Sequence, residues 1–338
     1  MDRRGFLRQS GAVAATAAAS LSRGLGEGAR AGGGPAARRL GLAVAPGDEL
    51  AGFGAERLAK RLELAMAGRL IIERVADAAA SDLSFGDARR HLTLHPGFAF
   101  FVGLPGSGGL SPPEFSSWLA LGGGQRLWDE LGGAVGFKPL LVGHSGDGLG
   151  FWSNVRLTEV SDLSGLSVAA TGLGARLLAR LGARPVAVAA PNLKATLATG
   201  GVAAADGGPL AAAFDRQPLA PRLYRPGLQP GGVALTLTVA RRLWDDLTPA
   251  EQVIFAACAA EEHRLAVAEA SLYARLAGDV ALGVKWPLRQ AWPRPLAAAL
   301  DAAARLVLDD VAEHDVDCRR IAASYRAHRR LLGGAVSA

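Results

Sequence analysis

Apolar and polar positions along this chain follow two periods. Short apolar runs are typical of strands, and they predict strands at 41–45, 68–75, 98–102, 138–142, 150–154, 167–170, 185–189 and 233–239. Apolar residues spaced three or four apart predict helices at 55–67, 112–120, 125–131, 175–181 and 193–199. Three long helical segments close the chain, at 249–276, 293–312 and 316–332. Strands that alternate with helices indicate an α/β fold with mostly parallel sheets.

Composition narrows the class of protein. The chain has 338 residues, half of them hydrophobic, which is enough for about two domains with buried cores. Its longest uncharged apolar stretch, Ser10–Ser22, is shorter than the ~20 residues of a bilayer-crossing helix, so we do not expect an integral membrane protein. The net charge is +6, and half of that excess lies in residues 1–31. The other arginines are scattered among acids, so no nucleic-acid partner is expected.

The amino terminus has the pattern of an export signal. A charged start containing Arg3 and Arg4 precedes a weakly apolar stretch of small residues and a Gly/Arg-rich segment. The paired arginines resemble a twin-arginine signal, with Asp2 where Ser or Thr is usual. We interpret residues 1–31 as a signal peptide and linker that is removed, and we expect a periplasmic protein. A frayed basic tail is the alternative.

Cysteine and histidine positions do not favour a metal centre. Cys258 and Cys318 are expected to be small buried thiols in helices, with a single disulfide left open. One cluster has metal-ligand residue types: His314, Asp315, Asp317 and Cys318. On one helix only the first and last of these share a face. The remaining histidines outside the catalytic motifs are interpreted as solvated surface: His91, His95, His263 and His328.

Catalytic motifs are incomplete. Residues 143–147 follow a predicted strand and superficially resemble a nucleophile elbow around Ser145, but the required glycine two residues later is replaced by Asp147. Residues 172–174 lack the third glycine of a dinucleotide-binding turn. An exported α/β chain without a catalytic constellation is interpreted as a non-enzymatic binding protein with no resident cofactor. An exported serine hydrolase that uses Ser145 and His144 is an alternative.

Several blocks of the sequence are similar to one family. They are 100–105 (Phe-Phe-Val-Gly-Leu-Pro), 122–130 (Gly-Gly-Gly-Gln-Arg-Leu-Trp-Asp-Glu), 163–166, 172–183 and 324–329. The glycine-rich block is the most specific. The chain resembles the extracytoplasmic solute receptors of tripartite ATP-independent periplasmic (TRAP) transporters, in the branch for keto acids, mannitol or chloroaromatics. The resemblance covers nearly all of the chain from about residue 45.

This resemblance implies a periplasmic-binding-protein-like α/β fold, with two lobes, a ligand cleft between them and long C-terminal helices. The expected divisions are 38–152 for the first part of lobe 1, 153–231 for lobe 2, 232–280 for the return to lobe 1 and the hinge, and 281–334 for helices across the lobes. It also implies that a small solute is trapped by lobe closure and handed to the membrane subunits of a TRAP permease. A cation in the cleft and a homodimer are left open.

The sequence departs from the family pattern at ligand-binding positions. The family's carboxylate-clamping arginine falls on Ala169, and its acid–aromatic pair falls on Asp206 without the aromatic residue. We therefore expect a neutral or cationic ligand, unless Arg176 or Arg222 compensates. The residues expected to line the cleft are Asp147, Trp152, Asn154, Ala169, Thr171, Asp206 and Gln229, and Asp206 is also a candidate metal ligand. A degenerate receptor that acts as a sensor or scaffold is a further alternative.

Overall fold

Two β-sheets organise the part of the chain that the computed structural model describes, which is residues 37–44, 49–77, 81–145, 150–207, 219–282 and 288–334. The first sheet has five strands: β1 (Arg38–Val44), β2 (Leu70–Val75), β3 (Leu83–Asp87), β4 (Phe137–His144) and β10 (Ala234–Ala240). Their spatial order is β2-β1-β3-β10-β4. All but β10 run in the same direction, so β10 is antiparallel to both of its neighbours.

The second sheet has six strands: β5 (Phe151–Ser153), β6 (Ser167–Ala169), β7 (Arg184–Val186), β8 (Ala204–Asp206), β9 (Arg222–Arg225) and β11 (Leu288–Ala291). Their spatial order is β11-β9-β5-β8-β6-β7. Here β5 is the antiparallel strand. Each sheet therefore contains one reversed strand, and the predicted α/β fold class is confirmed.

Nine helices accompany the strands in the described residues: α1 (Glu49–Ala65), α2 (Pro112–Leu121), α3 (Gly124–Ala134), α4 (Gly172–Arg180), α5 (Leu193–Ala198), α6 (Arg241–Asp246), α7 (Pro249–Leu282), α8 (Arg294–Glu313) and α9 (Val316–Gly334). Short 3₁₀ turns lie at Ala88–Thr93, Pro96–Phe101, Gly106–Gly108, Val160–Leu163 and Ala190–Asn192. No helix in these ranges is both long enough and apolar enough to span a bilayer.

Local signals set several helix ends. The Ser111 backbone N–H and hydroxyl both donate to the Glu114 carboxylate, at 2.7 and 2.6 Å, which forms the capping box that starts α2. Proline at the first positions of α2 supplies a backbone angle that suits a helix start. The two cysteines are free thiols buried in α7 and α9. The expected buried thiols are thus confirmed.

Aromatic stacking fills the core beside the first sheet. The Phe101 ring lies between the indoles of Trp118 and Trp128, with both centroid distances 5.1 Å. All three side chains are at most 1% exposed. They belong to a large apolar cluster that also includes Phe151 and Tyr224 of the second sheet, so this cluster joins the two sheets.

A buried ionic network ties α1 to α7. The Glu262 side chain is completely buried, and its carboxylate pairs with Arg57 at 2.5 Å and Arg61 at 3.2 Å. Arg57 also pairs with Glu269 at 2.7 Å. Because a buried charge is unfavourable without partners, this network positions the long helix on the first sheet.

One predicted strand was wrong and several short strands were missed. Residues 98–102 form no strand, because the chain turns at Pro96 into the 3₁₀ turn that ends at Phe101. This run is apolar because the turn is buried on all sides, and periodicity alone does not separate that case from a strand. The short strands β3, β8, β9 and β11 were missed or only partly indicated, since three to five residues carry little periodic signal.

Candidate functional site

Among the described strands the chain passes between the two sheets three times, and the two short connections, called the crossing segments below, start and end at carboxyl edges. The third connection runs from β10 through α6 and α7 to β11. Residues 145–150 lead from the end of β4 to the start of the reversed strand β5, and residues 226–233 lead from the end of β9 to the start of the reversed strand β10. In each sheet a reversed strand starts at the edge where the parallel strands end. The carboxyl edges of the two sheets therefore meet at the crossing segments. Ligands of open α/β sheets bind in the crevice at this edge.

The described ends of the first crossing segment, Ser145 and Gly150, both lie against the second crossing segment. The Ser145 N–H donates to the Val233 carbonyl at 2.8 Å, and the Val233 N–H donates to the Ser145 hydroxyl at 2.8 Å. At the second sheet, a Cβ on Gly227 would lie 3.3 Å from the Cα of Gly150, which itself has a positive φ of 96°. The two segments thus approach closely where glycine leaves room, as in a hinge.

Asp206 is the acidic group at the carboxyl edge of the second sheet. Its Oδ1 accepts one long hydrogen bond from the Leu228 N–H at 3.4 Å, and its Oδ2 lies 2.8 Å from where a Cβ on Gly174 would be. Burial raises the pKa of Asp206 to about 6, although the Leu228 hydrogen bond and the Arg89 charge act in the opposite direction. Desolvation therefore outweighs the favourable influence of the start of α4, which carries the positive end of the helix dipole.

A charged turn that follows β3 of the first sheet also lies near the start of α4. Asp87 ends β3, and its Oδ1 accepts the Arg89 N–H at 2.7 Å while its Oδ2 accepts Arg89 Nε at 2.7 Å. In the same turn, Leu92 Cδ1 is 3.3 Å from where a Cβ on Gly172 would be. Side chains of the first sheet thus reach the start of α4 in the second. Sequence reasoning missed this turn because it missed β3.

Trp152 and Ala169 lie together, on the other face of the second sheet from Asp206. The register pairs Trp152 with Ala205 and Ala205 with Ala169, which puts these three side chains on one face. Trp152 is 1% exposed and Ala169 is 6% exposed. Their apolar cluster also contains Leu193, Leu197, Val202, Ala205, Leu219, Ala220 and Leu223.

Thr171 is exposed at the carboxyl edge. It is the residue before α4, and its side chain makes no capping hydrogen bond to the helix. Because β6 and β8 are parallel and adjacent, Thr171 follows the strand next to the one that ends at Asp206. The structure therefore places these two predicted residues at one edge. Asp147 lies outside the described residues.

Asn154 and Gln229 bind the protein backbone. The Asn154 side-chain amide donates to the Leu197 carbonyl at 2.8 Å, and the Asn154 carbonyl accepts a hydrogen bond from Arg222 at 3.0 Å. Asn154 and Arg222 lie at the edge of the second sheet opposite Asp206, since Ser153 pairs with Arg222 at the far end of the strands. The Gln229 amide donates to the Gly103 carbonyl at 2.7 Å and so anchors a crossing segment to the first-sheet side.

Ser145 and His144 are the residues of the hydrolase alternative, and each is held by the surrounding protein. The Ser145 hydroxyl accepts the Val233 N–H, as described above, and thus joins the crossing segments. The His144 side chain is 3% exposed and its ring lies 6.1 Å from that of Phe115. Burial lowers the pKa of His144 to about 3, so the imidazole is neutral at neutral pH. These two residues do not support the hydrolase alternative.

Three potential metal ligands meet at the start of α9: His95, Asp315 and Cys318, whose ligand atoms all lie within 4.8 Å of one another. The His95 Nδ1 accepts the Gly97 N–H at 3.1 Å, so Nε2 carries the proton and donates to Asp315 at 2.9 Å. The Asp315 carboxylate also accepts the Cys318 N–H at 2.7 Å. Because the proton on Nε2 occupies the position that a metal would need, this cluster is a hydrogen-bonded helix cap.

The sequence interpretation of the histidines needs correction. His91 is 4% exposed, and its ring packs 4.8 Å from that of Phe137. His263 and His328 are partly buried, and their Nε2 atoms lie 2.8 and 2.7 Å from the hydroxyls of Ser116 and Ser117. These histidines were interpreted as solvated because each stands in a polar stretch. Tertiary packing covers them.

Comparison with known proteins gives relatives of one kind. No family model matches the chain. A monocarboxylate 2-oxoacid-binding periplasmic protein of Nostoc sp. is 27% identical over 223 residues, which are 60% of this chain and 60% of that protein. The match thus spans less than two thirds of that relative.

Solved structures resemble the whole described fold. One is a TRAP periplasmic solute-binding protein from Pseudoalteromonas atlantica with bound sodium and pyruvate, with a TM-score of 0.79, 21% identity, and coverage of 88% of this chain and 95% of that one. Another is a TRAP transporter solute-binding protein from Bordetella bronchiseptica, a mixed-occupancy dimer with calcium and picolinate, with a TM-score of 0.79, 21% identity, and coverage of 89% and 94%. These likenesses confirm the predicted resemblance at the level of the fold.

Proposed function

From the fold that this chain shares with TRAP periplasmic solute-binding proteins, we propose that it is an exported, non-enzymatic receptor. It captures a small solute between its two sheets and delivers it to the membrane subunits of a TRAP-type permease. The observation that carries this proposal is the meeting of both carboxyl edges at two paired crossing segments. That arrangement permits two lobes to close on a ligand by hinge motion.

The two sheets correspond to the two proposed lobes. The expected division of 38–152 for the first part of lobe 1, 153–231 for lobe 2 and 232–280 for the return to lobe 1 then needs one shift, because β5 begins at Phe151 and so belongs to lobe 2. Residues 281–334 add β11 to lobe 2 and pack their helices across both lobes. Contacts of α8 support the last assignment, because this helix touches both α4 of the second sheet and the 3₁₀ turns at Pro96–Phe101 and Gly106–Gly108.

We propose a neutral or cationic ligand for this cleft. Asp206 brings a negative charge to the carboxyl edge, and Ala169 supplies no cation. Arg222, the arginine expected as one possible replacement, donates to the Asn154 carbonyl at the opposite edge of the second sheet. A charge-assisted contact to a carboxylate contributes on the order of 1.5–3 kcal/mol, so its absence weakens 2-oxo acid binding by roughly 10- to 150-fold.

Calorimetry with pyruvate tests the ligand class. The wild type should bind pyruvate weakly or not at all. Ala169 packs in an apolar cluster but is the last residue of β6, so the long side chain of Ala169→Arg can extend past the carboxyl edge and should increase the affinity for pyruvate. Ala169→Met is the matched control, because it adds a side chain of similar length without charge and should gain nothing. Low-micromolar binding of pyruvate to the wild type would refute the proposed ligand class.

Receptor function itself is tested by identifying a natural ligand. Protein purified from its native host after export should release a small molecule on denaturation, which mass spectrometry identifies. Adding that molecule back should reduce the radius of gyration in solution scattering and raise the melting temperature. Tight binding without compaction would contradict the two-lobe closure.

The route of export and the assembly are finer parts of the proposal. Arg3 and Arg4 support export by the twin-arginine pathway, which carries folded proteins to the periplasm. Any cation that binds together with the solute is proposed to use Asp206 as a ligand. A single carboxylate supplies few of the oxygen ligands that such a cation needs. A homodimer is compatible with the dimeric relative.

A further inference from the structure

A basic groove lies outside the cleft, between the C-terminal helices and the 104–114 segment. Two adjoining cavities of about 560 and 230 Å³ form it, and residues of α9 line both: Leu332 lies at the larger cavity and Tyr325 at the smaller one. Arg326 and Arg329 line both cavities. Neither cavity includes a residue of the crossing segments or of Asp206, so this groove is separate from the proposed solute site.

Arginines dominate the charge of the groove. Four of them line it against two acids: Arg305, Arg326, Arg329 and Arg330, with Glu114 and Asp309. Arg326 pairs with Asp309 at 2.5 Å, but both side chains are about half exposed, so the pair is weak and a carboxylate of a partner can compete for Arg326. The Glu114 carboxylate is engaged in the capping box of α2. Within the described residues, Arg305 and Arg330 make no side-chain hydrogen bond or ion pair. Two guanidinium groups are therefore available to an anionic partner.

Apolar side chains form the floor of the groove. Leu104, Leu110 and Leu308 are buried beneath it, and Leu332 is partly buried at one end. Gly108 forms part of one wall and lies close to Leu308, because a Cβ on Gly108 would be 3.2 Å from Leu308 Cδ1. Glycine therefore leaves this wall without a side chain. The surface thus combines an open apolar channel with a cationic rim.

We propose that this groove docks an extended acidic peptide segment of a partner protein. Arg326 and Arg330 are four residues apart on α9, which is about 6 Å along the helix axis. Alternate residues of an extended chain are about 6.6 Å apart and face the same side. Acidic side chains at alternate positions therefore match these arginines, while the intervening apolar side chains face the leucine floor. The concave shape suits a peptide better than a flat lipid surface.

Fluorescence anisotropy with labelled peptides tests this proposal on the full chain. An acetylated, amidated peptide of alternating Glu and Leu should bind, and its affinity should fall as ionic strength rises. The matched Lys/Leu peptide should not bind. Arg330→Glu should weaken the acidic peptide by about fivefold or more, because it replaces an attraction with a repulsion.

Arg294→Glu provides the matched control. It makes the same charge change at an exposed arginine on α8 that is not part of the groove, and it should alter the affinity less than twofold. Equal losses in the two variants would show that only net charge matters and would overturn the proposal. Failure of the acidic peptide to bind would also overturn the proposal. Binding of phosphatidylglycerol vesicles in its place, if it depended on Arg330, would assign the groove to a lipid surface and overturn the proposal as well.

Discussion

Replacing Asp206 with asparagine should stabilise the ligand-free protein at neutral pH. The carboxylate is largely buried at the start of α4, and burial raises its pKa to about 6 from an ordinary value of 3.8, although the Leu228 N–H donates one hydrogen bond to it at 3.4 Å. That difference corresponds to about 3 kcal/mol of unfolding free energy at pH 7. Asparagine has the same shape, keeps an oxygen for the Leu228 N–H and carries no charge.

The sign of the effect follows from the proton balance. A folded-state pKa above the unfolded one means that the folded protein binds the proton more tightly. The contribution of Asp206 to the unfolding free energy of the wild type is thus greatest below pH 3.8. It decreases as the pH rises to about 6 and remains at its lowest value above that pH. The stability difference between Asp206→Asn and wild type should therefore be near zero at pH 3.5 and reach about 3 kcal/mol at pH 7.5.

Urea unfolding across this pH range measures the difference, since all other titrating groups are common to both proteins. Asp245→Asn is the control, because that carboxylate lies on the surface in an exposed pair with Arg241. It should change the unfolding free energy by less than about 0.5 kcal/mol. A difference for Asp206→Asn that does not depend on pH, or a destabilised variant at pH 7.5, would refute the reasoning. A cationic ligand should reverse the order, because it stabilises only the charged wild type.

Three further changes have expected outcomes. Glu262→Ala should lower the unfolding free energy by about 3–5 kcal/mol in urea titrations, because it removes the buried carboxylate that pairs with both Arg57 and Arg61 and leaves Arg57 with Glu269 alone. The neighbouring Glu261→Ala, in an exposed pair, should cost under about 1 kcal/mol, and similar losses in the two variants would contradict this. Phe101→Ala should cost about 3–5 kcal/mol in the same measurement, since it empties the space between two indoles, and a loss below 1 kcal/mol would argue against that packing. Lysine at both Arg3 and Arg4 should retain precursor in the cytoplasm on cell fractionation; normal periplasmic levels would exclude the twin-arginine route.

The sequence by itself determined features that depend on near neighbours in the chain. Ser111 and Glu114 are three residues apart, and their capping box starts α2 where the sequence predicted it. The three long C-terminal helices also lie where their apolar spacing placed them: α8 and α9 agree within two residues at each end, while α7 starts at the predicted residue and ends six residues later than predicted. Caps and periodic faces are local properties, so a single sequence carries them.

Tertiary structure decided what depends on residues far apart in the chain. The apolar run that ends at Val102 is a buried turn, because Trp118 and Trp128 enclose it from other elements. Ala169 faces an apolar cluster with Trp152, while Asp206, one strand away, faces the opposite side of the sheet.

Charge state was decided in the same way. The raised pKa of Asp206 comes from the protein packed around it, and the neutral state of His144 comes from burial against α2. Likewise His95 meets Asp315 across 220 positions of sequence. Burial and electrostatics are sums over the three-dimensional surroundings of a group, so no window of the sequence contains them.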